Sequence, residues 1–360
     1  MSLWNQIEPI CKNIAYGESF PALIETKSYG YFSQKVQGVS GYYDPKFLAI
    51  VLYLLKEKIP GCKKVFQAIV IRLDSTPFTV IPSIFKRSTH FENMAVFVLV
   101  SFFHHAELEK EFPDTVAKPP VVLGRRDKTI NGEKCIRIDT IEEKYPTTLS
   151  RNYVLKEKIS LNDAIQGLYK IALALDGLHK KNVVHCDIKN WNVFVQNSNL
   201  LLFDFDLARS FPSIRPPNVK FYEFWDTTTN RYGLITPFCD VFGWTVMLGT
   251  VIWGKKFHEQ LRVYIHTNHF PSVLKSFYQQ NLDKFPHKEF YKAAYTFILS
   301  MYVKDIETRN KVERCFKSLT SPIPHVWAMD LYKQIEATLP KMQDCIQFIH
   351  PWVLHPTQAK

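Results

Sequence analysis

The first 145 residues alternate short apolar runs with polar turns; later stretches are longer and amphipathic. Phe47–Leu55 (FLAIVLYLL) is apolar throughout, and a run this short fits a strand or a buried helix, since periodicity does not separate them. Val65–Leu73, rich in β-branched residues, and Phe78–Lys86 flank the turn signal Asp74-Ser75-Thr76-Pro77. They predict a hairpin in which Pro82 is confined to a bulge or an edge. Residues 90–112 contain neither Gly nor Pro and predict a long helix closed by Pro113. Val121–Ile130 and Glu133–Ile141 flank Asn131-Gly132, a strong two-residue hairpin signal. Residues 160–180 carry apolar positions at helical spacing, with Ser160 or Asn162 as N-cap. After about residue 205 the pattern is mostly helical, with Tyr-, Phe- and Trp-rich faces. A strand-rich part before a helix-rich part, with a hinge near 142–150, predicts an α+β chain in two lobes.

Composition narrows the class. With 46% hydrophobic and 22% charged residues in 360, the chain has ample core for a folded domain and is neither disordered nor fibrous. Seven cysteines are scattered without a CxxC pair, which argues against a zinc site or disulfide framework and for reduced thiols in a cytosol-like compartment. The N-terminus lacks a signal-peptide pattern, and no apolar run is long enough to span a bilayer, so a soluble, cytoplasmic protein is expected. The formal charge of +11 suits phosphates or an acidic partner, yet the basic residues are spread along the chain and no nucleic-acid motif is visible. Only 13 glycines are present, which disfavours a fold built on many glycine-rich phosphate loops.

The informative stretch is Val183–Ala208, VVHCDIKNWNVFVQNSNLLLFDFDLA. A short loop holds His185, Asp187, Lys189 and Asn192; a strand pair follows and delivers Asp204. Phosphoryl transfer needs a group that orients the attacking hydroxyl, a cation near the phosphate and metal ions that neutralise its charge. Asp187 and Lys189 suit the first two tasks. Asn192 and Asp204 offer the hard oxygens magnesium prefers.

This segment resembles the catalytic loop and metal-binding motif of the eukaryotic protein kinase superfamily, HRDLKxxN followed by DFG. Here the residues are His185-Cys186-Asp187-Ile188-Lys189-Asn190-Trp191-Asn192 and Asp204-Phe205-Asp206. Downstream, Asp240-Val241-Phe242-Gly243-Trp244 resembles the start of the family's central lower-lobe helix, which implies that Asp240 braces the catalytic loop. Gly254-Lys255-Lys256-Phe257 falls at a family turn. Asp305-Ile306-Glu307-Thr308-Arg309 resembles DPxxR, whose Arg would pair with Asp226 of Tyr222-Glu223-Phe224-Trp225-Asp226. Cys186 replaces the family Arg, which removes the cation that would answer an activation-loop phosphate. Asp206 replaces the DFG glycine. It could stiffen the loop, disfavour positive φ or add a metal contact.

In the first lobe the resemblance is thinner. It places Gly61 and Lys63 in the nucleotide loop and Lys86 as the phosphate anchor, with Arg72 as rival. Glu107 is the lysine's partner, with Glu92 as rival. The hinge falls near Ile141–Tyr145, and Phe194 packs beneath the adenine. The implied layout is an extension at 1–45, a first lobe at 46–145, a second at 146–320 and a helical tail at 321–360. The implied activity uses ATP and Mg2+ to phosphorylate Ser or Thr hydroxyls of protein substrates, since Lys189 is the serine/threonine form of the loop. The alternatives are a pseudokinase that binds nucleotide or serves as a scaffold, and a kinase-like enzyme for small molecules. The sparse motif agreement suggests a divergent member, such as a viral or bacterial kinase acting in a host cell.

Overall fold

A computed structural model describes residues 47–50, 63–72, 79–143, 145–151, 159–214, 225–285, 287–316 and 324–354. It divides into two compact units, residues 1–106 with 118–144 and residues 107–117 with 145–360. Gly61 and residues 222–224 lie outside the described residues, as does the 1–45 extension.

The first unit is built on a five-stranded antiparallel sheet in the order β1-β2-β3-β5-β4. Its strands are β1 (Phe47–Ile50), β2 (Lys63–Arg72), β3 (Thr79–Phe91), β4 (Val121–Ile130) and β5 (Glu133–Glu143). The 47–55 run therefore begins as a strand, and the two expected hairpins form with Val65 opposite Lys86 and Ile130 opposite Glu133. Asn131 and Gly132 carry φ of 53° and 82°, the left-handed pair that a tight primed turn demands. Pro82 faces Ile69 of β2, and the pairing of β3 with β5 runs only from Ser83 to Phe91, so Pro82 stands where β3 is paired on one side alone, a local edge that tolerates its missing N–H. Helix α1 (Glu92–Glu111) follows β3 without a loop, and its Ala95, Val98 and Phe102 pack on Ile136 and Ile138 of β5.

The second unit opens with β6 (Thr147–Thr148) and α2 (Leu161–Lys180). Ser160 caps α2 by accepting from Asp163 N, and the expected stripe is buried: Leu161, Ile165, Leu168, Ala172, Leu175 and Leu178. Then come β7 (Val183–Val184), β8 (Val193–Gln196), β9 (Asn199–Leu202), β10 (Arg209–Ser210) and β11 (Ser213–Ile214). Next are α3 (Thr227–Tyr232), β12 (Leu234–Ile235), α4 (Phe238–Trp253) and α5 (Lys255–Tyr264). The chain ends in α6 (Phe270–Asn281), α7 (Lys288–Phe316), α8 (Pro324–Ile335) and α9 (Met342–Leu354). Every residue of α4 is buried, as expected of a helix apolar on all sides at the centre of a large core. Trp244 on α4 donates its Nε1 proton to Leu168 O of α2, which satisfies its one polar group in the interior. The tail helix α9 buries Met342, Cys345 and Ile349 in the same core, and Gln343 donates to Asp176 on α2. Among the described residues no helix is long and apolar enough to cross a membrane.

Candidate active site

The loop between β7 and β8 is held from below by one carboxylate. Asp240, in the first turn of α4, accepts from His185 N at 2.7 Å and Cys186 N at 2.8 Å. His179, in the last turn of α2, adds a third contact at 3.0 Å to Oδ2. Burial alone would raise the Asp240 carboxyl, but the bond and charge of His179 and the His185 amide outweigh it and hold it below the usual range. The brace expected of Asp240 is thus present, and it consumes two backbone donors that would otherwise be orphaned in the core.

Two further supports had no signal in the sequence. Trp225 donates its Nε1 proton to Cys186 O at 2.6 Å. Gly243 lets α4 approach closely, since a Cβ there would stand 2.8 Å from Ile188 O. Cys186 itself takes φ 65°, a strained value for a residue with a side chain, and packs with Val184, Trp225, Ile235 and Cys239. The position where the family carries a cation therefore points into an apolar cluster.

The loop presents Asp187 in a defined pose. Lys189 Nζ bonds both carboxylate oxygens, at 2.8 and 2.7 Å. Asn192 Nδ2 donates to Oδ2 at 2.7 Å and to Asp187 O at 2.9 Å. A carboxylate has roughly four lone-pair sites. Three are used, which leaves about one for an incoming hydroxyl. Because both Asn192 donor contacts go to Asp187, its amide oxygen remains as a hard ligand for a cation.

One imidazole ties this loop to the strand that carries Asp204. His185 Nδ1 accepts from Asp187 N at 3.2 Å, so the proton sits on Nε2 and is donated to Phe203 O at 3.2 Å. That pattern requires a neutral ring, and burial pushes the His185 pKa down accordingly. Phe203 N in turn donates to Asn192 O at 3.0 Å. Asp204 follows in the left-handed region (φ 64°, ψ 63°), which Asp tolerates better than most residues. Asp206 lies in the single turn Phe205–Leu207 and is not among the positive-φ residues, so its backbone there has no need of a glycine. Phe205 is buried beside His185, with ring centroids 4.4 Å apart.

The remaining expected residues are placed as follows. Lys63 opens β2 and Arg72 ends it. Lys86, in β3, is ion-paired with Glu142 of β5, while Glu107 on α1 accepts from Lys110 one turn along the same helix. Phe194 lies flat on Phe203 with centroids 3.6 Å apart, and Tyr145 stacks on it at 4.5 Å. A ring seated flat at that distance excludes another from the same face, so Phe194 is sandwiched between the two.

Asp226 does not make the expected ion pair with Arg309. Its carboxyl group caps α3, accepting from Thr229 N at 3.0 Å, and its Oδ2 lies 2.6 Å from Thr229 Oγ1. Asp305 in α7 instead takes Thr227 N and Oγ1, and the Arg309 charge weakly offsets the rise that burial causes in Asp305. Two buried carboxylates therefore flank the start of α3, and burial followed by repulsion from Asp305 pushes Asp226 up to about 7.

Residues 135–319, just over half of the chain, match the protein kinase domain family. No curated protein matches the chain. The order of elements, the loop geometry and this match agree, and the chain belongs to the protein kinase superfamily, with its bilobal α+β fold.

Proposed function

We propose that this protein is an active serine/threonine kinase, transferring the terminal phosphoryl group of MgATP to a Ser or Thr hydroxyl of protein substrates. The observation that carries this reading is the pose of Asp187, restrained by Lys189 and Asn192 and joined through His185 to the residue before Asp204. In phosphoryl transfer the protein contributes mainly positioning and electrostatics. Asp187 accepts the substrate hydroxyl's hydrogen bond at its uncovered lone pair and aims the oxygen at phosphorus. It takes the proton as the oxygen–phosphorus bond forms and the bond from phosphorus to the oxygen leaving with ADP breaks. Lys189 keeps the carboxylate from turning away and supplies positive charge beside the site. The Asn192 amide oxygen and the Asp204 carboxylate fit magnesium, which when bound neutralises charge on the phosphates. The basic surface supports an acidic substrate, and the scattered thiols support a reducing, cytoplasmic setting.

A second reading, a pseudokinase that binds nucleotide or a partner without transfer, is favoured by one observation: the Lys86 ammonium is already paired with Glu142. Label transfer from radiolabelled ATP with magnesium to basic and acidic protein substrates, beside Asp187→Ala, separates the two. Transfer lost in the variant supports the kinase. An ATP-induced rise in melting temperature without transfer supports a nucleotide-binding pseudokinase, and the absence of both responses rejects the kinase.

A further inference from the structure

Trp191 stands out on the catalytic loop. The single turn Asn190–Asn192 buries both flanking side chains, at 2% and 3% exposure, yet leaves the Trp191 indole 45% exposed. Isolated apolar residues on a surface are ordinary, and exposure alone would carry nothing. Two other features do. First, Lys189, which immediately precedes this turn, and Asn192, which ends it, are the residues that grip Asp187. Second, the indole is not loose: it meets the buried His258 of α5 edge-on, with ring centroids 4.6 Å apart and planes at 62°. A rigid aromatic ring with one side fixed and the other open loses little entropy on contact and makes an efficient recognition element.

We propose that Trp191 is a specificity-determining residue for the protein substrate, receiving an apolar or aromatic side chain close to the phosphorylated hydroxyl. The inference rests on the reading of Asp187 given above. Its reach follows from chain geometry. Trp191 lies four positions after Asp187, so their Cα atoms are at most about 14 Å apart. An extended substrate rises about 3.3 Å per residue, so the contacted side chain falls within about four positions of the acceptor. The exposed Lys255 and Lys256 open the helix that carries His258. They put positive charge at the start of that helix and favour an apolar residue set among acidic ones.

The test uses the full chain, radiolabelled ATP with magnesium, and an acidic peptide array with a central Ser or Thr. Each of the four positions on either side is varied between Ala, Leu, Phe and Lys. Wild type is expected to prefer Leu or Phe over Ala at one or two positions by about tenfold in kcat/KM, the range one apolar contact supplies. Trp191→Ala should lose that preference, Trp191→Phe should keep most of it, and the ATP-induced rise in melting temperature should be equal in all three. An unchanged preference in Trp191→Ala, or equal use of all peptides by wild type, overturns the proposal while leaving the kinase reading intact. Absence of transfer by wild type above the Asp187→Ala background removes the kinase reading and this inference with it.

Discussion

Asp226→Asn should make the protein more stable at neutral and alkaline pH, although it removes a carboxylate from a helix cap. Thr229 Oγ1 lies 2.6 Å from Asp226 Oδ2 and 2.9 Å from Leu234 O. A hydroxyl has one proton, so only one of these oxygens can receive it. With the proton on Leu234 O, Oδ2 must carry its own and donate to Thr229. Burial and the nearby Asp305, which push Asp226 up to about 7, favour that same protonated form. The unfolded chain releases this proton near 3.8, whereas the folded chain holds it to about pH 7. Stability from this group is therefore fully present below about pH 4 and falls as pH rises through about 7. At about 1.4 kcal/mol per pH unit the loss reaches roughly 4.5 kcal/mol, an upper figure because local relaxation reduces it. In the variant, Nδ2 takes the place of Oδ2 and donates to Thr229 Oγ1, while Oδ1 still accepts from Thr229 N. Urea unfolding followed by tryptophan fluorescence at several pH values measures the difference. The variant should lie within about 1 kcal/mol of wild type near pH 4.5 and exceed it by about 2–4 kcal/mol near pH 8. A gap that stays constant, or that grows toward low pH, would refute the argument that Asp226 is held protonated.

Three further outcomes test the support of the catalytic loop. Asp240→Asn should flatten the acid limb of the stability curve: its carboxyl is held below the ordinary 3.8, so its contribution is present above that value and lost as pH falls further, which acid titration of the folded state detects. Gly243→Ala drives a methyl group to 2.8 Å from Ile188 O and should cost about 1–3 kcal/mol in melting experiments. The same shift of the loop should lower label transfer by about a hundredfold. Trp225→Phe keeps an aromatic ring but leaves Cys186 O without its indole donor, and chemical unfolding should show a loss of about 1–3 kcal/mol.

The local elements were largely legible in the residues, because turn chemistry and periodicity act over a few positions. Asn131-Gly132 specified its hairpin and Ser160 its helix start, each through a backbone conformation or a cap that neighbouring residues supply. The grouping of Asp187, Lys189 and Asn192 was equally readable, since all three sit within six residues on one loop. Motif resemblance also identified Asp240 as their brace across more than fifty residues.

What the sequence left open depends on contacts between distant segments. No local pattern marks Gly243 as the point where α4 touches Ile188, or Trp225 as the donor to Cys186 O. The role of Asp226 turned on competition: Thr229, three residues away, and Asp305, on another helix, decide whether it is a cap, an ion-pair partner or a held proton. The replacement of glycine by Asp206 could stiffen the loop, disfavour positive φ or add a metal contact, and the fold places the left-handed residue at Asp204 instead. Sequence alone thus determined the kinase-like chemistry and its order along the chain, because those residues are close in sequence and their types are demanded by phosphate. Tertiary structure decided which buried polar groups satisfy one another, because that depends on packing that brings together residues far apart in the chain.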